Sequence, residues 1–235
     1  MTPHVSYPAG IRFENVEKRY GGLYALRRVS LDVAPGECVV LAGRNGSGKT
    51  TLLRIAARLV RPSGGSVSYS GSTSGDKNAD RVRPGFVAHA TMVYDELSAE
   101  ENLLLFARLQ GVERPKERVA ALLEEVSLTE RRKSLVRTFS RGMRQRVAIA
   151  RALLTEPSVL LLDEPATGLD SPGIVWLTQT LRGMRDGGCT LLMSLHGESQ
   201  ISALATRGIR LESGTLIADT KNGAEMSSVL AGAGE

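Results

Sequence analysis

Gly43-Arg44-Asn45-Gly46-Ser47-Gly48-Lys49-Thr50 has the spacing of a P-loop. Its glycines let the backbone turn so that successive N–H groups point inward at phosphate oxygens. A helix opening at Thr50 would add the positive end of its dipole. Lys49 would then reach the β- and γ-phosphates, and the Thr50 hydroxyl would ligate Mg²⁺. The plainer reading is a glycine-rich strand-to-helix turn. The flanks favour the cradle, because an apolar run (38–41) precedes the loop and a helical pattern follows it.

A second group lies downstream. Val159-Leu160-Leu161-Leu162 runs into Asp163-Glu164. A buried strand next to the P-loop strand would put Asp163 at the Mg²⁺ site, where it could hold a metal-bound water. Glu164, off the strand axis, could face the γ-phosphate and polarise the attacking water as general base. Alone, the pair also reads as an acidic turn before Pro165. His196 ends the next apolar run (190–195). It could donate to the γ-phosphate, although a lone histidine at a strand end is usually structural.

These residues need a scaffold. Strand patterns cover 11–16, 29–33, 37–42 and 66–70, and a helix pattern covers 50–59 before Arg61-Pro62-Ser63-Gly64-Gly65. Residues 71–84 read as a surface loop. From 98 to about 154 the pattern is helical. Ser98-Ala99-Glu100-Glu101 resembles a capping box, and Val147, Ala150 and Leu154 share a face of a helix spanning 143–154. Strands return at 159–162, 190–195, 208–212 and 215–219, with Ser171-Pro172 starting a helix between them. An α/β core interrupted by a helical insert is expected, and residues 221–235 are expected to form a flexible tail.

Composition narrows the class. The 235 residues suffice for one large α/β domain. Net charge is +5, which suits anionic partners in general, whereas 4% aromatic residues leave few stacking surfaces for single-stranded nucleic acid. No run approaches the roughly 20 apolar residues that span a bilayer, and 1–10 carry no secretory pattern. Cys38 and Cys189 sit in apolar runs and read as buried free thiols. A cytoplasmic protein follows, with any membrane attachment made through a partner.

With these residues in order, the chain resembles ABC transporter ATP-binding subunits over nearly its whole length. Tyr20, before Gly21-Gly22, stands where the family stacks an aromatic on adenine; a core tyrosine is the alternative. Phe139-Ser140-Arg141-Gly142-Met143 occupies the place of the Leu-Ser-Gly-Gly-Gln signature. Asp163-Glu164, Gly168-Leu169-Asp170 and His196 stand for the Walker B pair, the D-loop and the switch histidine. The resemblance implies a RecA-like P-loop NTPase core with an antiparallel β subdomain and an inserted helical subdomain. It divides one domain (11–220) into a core (11–88 and 156–220) and an insert (89–155). It also implies ATP and Mg²⁺, with Gly43 through Lys49, Thr50 and Thr51 on the nucleotide.

Two positions depart from the pattern. His89 stands where the family has a glutamine that offers an amide oxygen to Mg²⁺; neutral imidazole is a poorer ligand for so hard an ion. Arg141 replaces the first glycine of the signature. His89 together with Ser140-Arg141-Gly142-Met143-Arg144-Gln145-Arg146 is similar to the ATPase subunit of the haem exporter of cytochrome c maturation.

In this family two subunits face head to tail, so that each signature closes over the other's ATP. The resemblance therefore implies a homodimer and an integral membrane subunit at the inner face of the cell membrane, and no nucleic acid. Arg144, Arg146 and Arg151 give the signature helix a cationic face on which at least two read as solvated. The alternatives are an ABC-2-type exporter of drugs, lipids or polysaccharides, and a soluble ATPase of the iron–sulfur assembly type. A regulator that does not hydrolyse is a third, and Glu164 argues against it. A soluble ATPase of the DNA-repair type, which carries a long coiled coil in its middle, is disfavoured because no sustained heptads appear in this sequence.

Overall fold

The computed structural model describes residues 9–70, 82–195 and 200–231. The first half runs β1 (Gly10–Tyr20), β2 (Leu23–Val33), β3 (Cys38–Ala42), α1 (Lys49–Ala56), β4 (Gly64–Ser70), β5 (Gly85–Val87), α2 (Ala99–Leu109), α3 (Pro115–Glu125) and α4 (Arg141–Ala152). The second runs β6 (Val159–Asp163), α5 (Ser171–Asp186), β7 (Thr190–Ser194), β8 (Arg207–Glu212), β9 (Thr215–Thr220) and α6 (Gly223–Ala231).

The strands form two sheets. One is three-stranded and antiparallel, in the order β2-β1-β4. The other is six-stranded, in the order β5-β6-β7-β3-β8-β9, parallel except for β9. β3, β6 and β7 are buried at every position, which is why they read as unbroken apolar runs.

Alternation along these strands divides the core in two. Val39, Leu41, Val159, Leu161 and Leu192 face one way, onto Leu52, Leu53, Ile55 and Ala56 of α1 and onto Phe13 and Leu26 of the antiparallel sheet. Cys38, Val40, Leu160, Leu162, Leu191 and Met193 face the other way, onto α2 through α5. Helix α1 thus lies between the two sheets, and its first residue stands at the C-terminal edge of β3.

The expected elements are present with shifted ends. The capping box of α2 is complete: Glu101 N–H donates to Ser98 Oγ (3.2 Å) and Ser98 N–H to Glu101 Oε2 (2.8 Å). These bonds hold the Glu101 carboxyl below its ordinary range. Helix α4 begins at Arg141, two residues before the apolar period suggests, because Ser140 Oγ accepts from Met143 N–H and caps it. Helix α5 is capped by Asp170, not Ser171. The expected tail corrects most clearly. Residues Gly223–Ala231 are helical, and Met226 and Leu230 are buried in the larger core. Most of the expected loop 71–84 lies outside the described residues.

Cys38 and Cys189 are buried and free, and burial pushes each thiol up to about 12. Among the described residues no helix is long and apolar enough to cross a membrane.

Candidate functional site

Residues 43–48 join β3 to α1 and pass close to two other strands. Gly43 and Gly48 have φ of +139° and +110°. A Cβ on Gly43 would collide with the Leu211 carbonyl, and one on Gly48 would stand 2.7 Å from the Ala25 carbonyl. Sterics as well as dihedral angle therefore call for glycine at both. Arg44, Asn45 and Gly46 are exposed, Ser47 is buried, and Thr50 and Thr51 are half-buried.

Lys49 is the first residue of α1. Its ammonium turns back over the loop, donating to the Gly43 carbonyl (2.5 Å) and the Arg44 carbonyl (3.0 Å). Burial lowers its pKa, while the charges of Glu164 and Asp163 act to raise it. A desolvated cation whose hydrogen bonds, among the described residues, go to carbonyl oxygens is ready to take up an anionic phosphate. Ser47 Oγ is buried with no hydrogen-bond partner in the loop.

Asp163 reaches this loop without the strand adjacency that the sequence suggests. β6 is not beside β3; β7 lies between them. The gap is closed by side chains. Thr50 Oγ1 donates to Asp163 Oδ1 (3.1 Å), and Ser194 Oγ at the end of β7 donates to the same oxygen (2.8 Å). Asp163 is 1% exposed, and its Oδ2 is buried without a partner.

An orphaned carboxylate oxygen beside a threonine hydroxyl fits a hard divalent cation that takes few protein ligands and completes its shell with phosphate oxygens and water. Among the described residues no three His, Cys, Asp or Glu side chains gather into a metal cluster.

Glu164 breaks from the strand with φ +51°, a conformation that costs roughly 1–3 kcal/mol for a non-glycine residue. Its N–H is held by both the Ser194 carbonyl (3.2 Å) and Ser194 Oγ (3.1 Å). Ser194 thus touches both carboxylate residues. Its only signal in the sequence was a polar residue inside an apolar run.

His89, just past β5, places Nδ1 3.2 Å from Glu164 Oε2. The sequence alone gave no reason to join these two residues. Tyr20 closes β1 at 51% exposure, with Lys18 Nζ 5.1 Å from its ring centre. It is a surface tyrosine and not a core one. His196 lies outside the described residues.

The signature segment differs. Ser140 and Arg141 are exposed, and Gly142 and Met143 are half-buried. No hydrogen bond or ion pair among the described residues joins 140–143 to 43–51. The segment instead packs on the D-loop. A Cβ on Gly142 would lie 2.9 Å from the Gly168 carbonyl, and the Arg141 stem covers Gly168. Gln145 Nε2 donates to the Pro165 carbonyl at 2.9 Å.

The arginines of α4 correct the expectation of a solvated face. Arg144 bonds the Arg137 carbonyl. Arg146 bonds the Val126 carbonyl and sits 5.2 Å from the centre of the Trp176 ring. Arg151 is buried, which lowers its pKa.

A P-loop at the end of a central parallel strand, a Walker B carboxylate hydrogen-bonded to the P-loop threonine and an acidic residue beside it define a P-loop ATPase. The family profile described as ABC transporter matches residues 26–167. The daunorubicin resistance ATP-binding protein DrrA3 of Streptomyces coeruleorubidus is 38% identical over 212 residues, covering 89% of this chain and 67% of that protein. The Nod factor export ATP-binding protein I of Burkholderia orbicola is 38% identical over 215 residues, covering 90% of this chain and 70% of that protein.

Among solved structures, the dimeric ATP-binding cassette MJ0796 bound to ADP and Pi superposes with a TM-score of 0.78 at 29% identity. It covers 89% of this chain and 97% of that one. The chain belongs to the ABC transporter ATP-binding family, whose members bind and hydrolyse ATP. The narrower likeness to the haem-exporter subunit gains nothing from these relatives, whose names speak of drug resistance and Nod factor export.

Proposed function

We propose that this chain powers an exporter of the ABC-2 type, hydrolysing ATP as one half of a homodimer docked on a separate membrane subunit at the cytoplasmic face. The observation that carries the ATPase part of the reading is the Thr50–Asp163–Ser194 cluster beneath a P-loop whose Lys49 is desolvated. The names of the relatives, which speak of daunorubicin resistance and Nod factor export, favour an exporter of that kind over one for haem. The reading treats 11–220 as one ATP-binding domain with 89–155 as its helical insert.

In this reading Gly43 through Lys49 hold the phosphates, with Thr50 and Thr51 at the start of α1 and Tyr20 on the adenine. Mg²⁺, held by Thr50 and by Asp163 partly through water, would neutralise phosphate charge. Glu164 accepts the proton of the attacking water, and His196 contacts the γ-phosphate. Ser140, Arg141, Gly142 and Met143 face the ATP of the second subunit, beside Asp170 of the D-loop. ATP contacts both halves only in the closed pair, so binding favours closure and hydrolysis releases it.

The test is elution of Glu164→Gln protein by size exclusion. With ATP and Mg²⁺ it should run as a dimer, and with ADP as a monomer. Elution at the same volume with either nucleotide overturns the paired reading.

A further inference from the structure

A general base must aim its carboxylate, and the backbone of Glu164 leaves that aim to its neighbours. Ser194 holds the N–H of Glu164 twice, which fixes the Cα. The three side-chain torsions beyond it remain to be set. Lys49 acts on Glu164 only through space, because its Nζ is turned to the Gly43 and Arg44 carbonyls. The side chain at ion-pair distance from Glu164 among the described residues is His89, Nδ1 to Oε2 at 3.2 Å.

The position of His89 is itself held. The stretch from β5 toward α2 is bracketed by one buried guanidinium. Arg151 of α4 donates to the Phe86 carbonyl (Nη2, 3.3 Å) on one side of His89 and to the Met92 carbonyl (Nη1, 2.6 Å) on the other. The same guanidinium lies 5.1 Å from the centre of the Phe106 ring of α2. An imidazole carried on so braced a segment can present Nδ1 to one carboxylate oxygen and leave the other free to accept from water. It is also a poor ligand for a hard cation. A histidine here suits the carboxylate better than the metal.

We propose that His89 is a positioning residue for hydrolysis: it holds the Glu164 carboxylate in one orientation, and Arg151 places His89 by bracing the chain on either side of it. The inference rests on Glu164 being the base of the ATPase reading.

The test measures turnover, affinity and the contact itself in the full-length chain. His89→Ala should lower kcat at saturating ATP by about tenfold or more, the scale expected when a catalytic group loses its orientation. The ATP Kd should stay within about twofold, since the P-loop is untouched. His89→Gln, with an amide donor of similar reach, should recover most of the turnover. In the nucleotide-free protein the ¹⁵N resonance of His89 Nδ1 should move on Glu164→Gln.

The proposal is overturned by parental kcat in His89→Ala, by equal losses in the alanine and glutamine variants, by a loss carried in ATP affinity, or by an unmoved resonance. Glu164→Gln serves as the reference. If it turns over at the parental rate, the base assignment falls and His89's role falls with it. If it is inactive while His89→Ala is not, only the role of His89 falls.

Discussion

The phosphate cradle and the signature segment are both helix N-termini on one chain, and they differ in how finished they are. At α1 the loop folds over itself, Lys49 is buried against two carbonyls, and Asp163 arrives from another strand to bond Thr50. At α4 Ser140 and Arg141 are exposed, Gly142 and Met143 are half-buried, and the Ser140 hydroxyl is occupied in capping its own helix. What braces the signature is the chain behind it, through Gly168 of the D-loop and the Pro165 carbonyl. A buried polar cluster with orphaned oxygens suits a small ligand, and a partly exposed helix end backed by packed chain suits an anion presented from outside the chain. On the proposed reading, one chain builds the phosphate cradle and only half of the catalytic site.

Removing the finished half should do the most. Glu164→Gln should lose about 10²–10⁴-fold in turnover, the usual worth of general-base help, while still binding ATP. Steady-state ATPase assays beside a nucleotide titration check it, and a parental rate removes the assigned role. Lys49→Ala should act on affinity instead, weakening ATP binding roughly tenfold to a hundredfold. That follows from the 1.5–3 kcal/mol typical of a hydrogen bond to a charged group.

The unfinished half should respond differently. Ser140→Arg placed on Glu164→Gln should abolish the ATP-dependent dimer by size exclusion and leave single-chain nucleotide binding intact. A double variant that still dimerises with ATP collapses the distinction between the two regions. The smallest effect belongs to Tyr20. Tyr20→Ala should weaken ATP binding by about 1–3 kcal/mol, the worth of stacking on one base, with the melting temperature unchanged because the ring is exposed. Unchanged affinity in the folded variant argues against stacking.

Much of this molecule was legible in its sequence because the signals were local. The P-loop follows from glycines whose φ and close approach no other residue tolerates, as Gly43 and Gly48 demonstrate. Strands β3, β6 and β7 follow from apolar runs, since a parallel strand covered on both faces needs no polar alternation. The capping box of α2 follows from Ser98 and Glu101, whose bonds span three residues. The tail reading failed for the complementary reason. Met226 and Leu230 are too few to mark a helix in a glycine- and alanine-rich segment, and only the sheet they cover makes them a core face.

The site divides along the same line. Residue types and spacing determined that Lys49, Thr50, Asp163 and Glu164 exist in a P-loop ATPase's order. They could not determine that β7 intervenes between β3 and β6, because strand order is decided by which apolar faces pack together and not by chain order. Ser194 became a partner of both carboxylates through that insertion. Arg151 of α4, a surface residue by composition, is buried as the brace of the segment carrying His89, and His89 meets Glu164 from 75 positions away in the chain. Side-chain contacts between distant segments carry no local periodicity, so packing alone selects them.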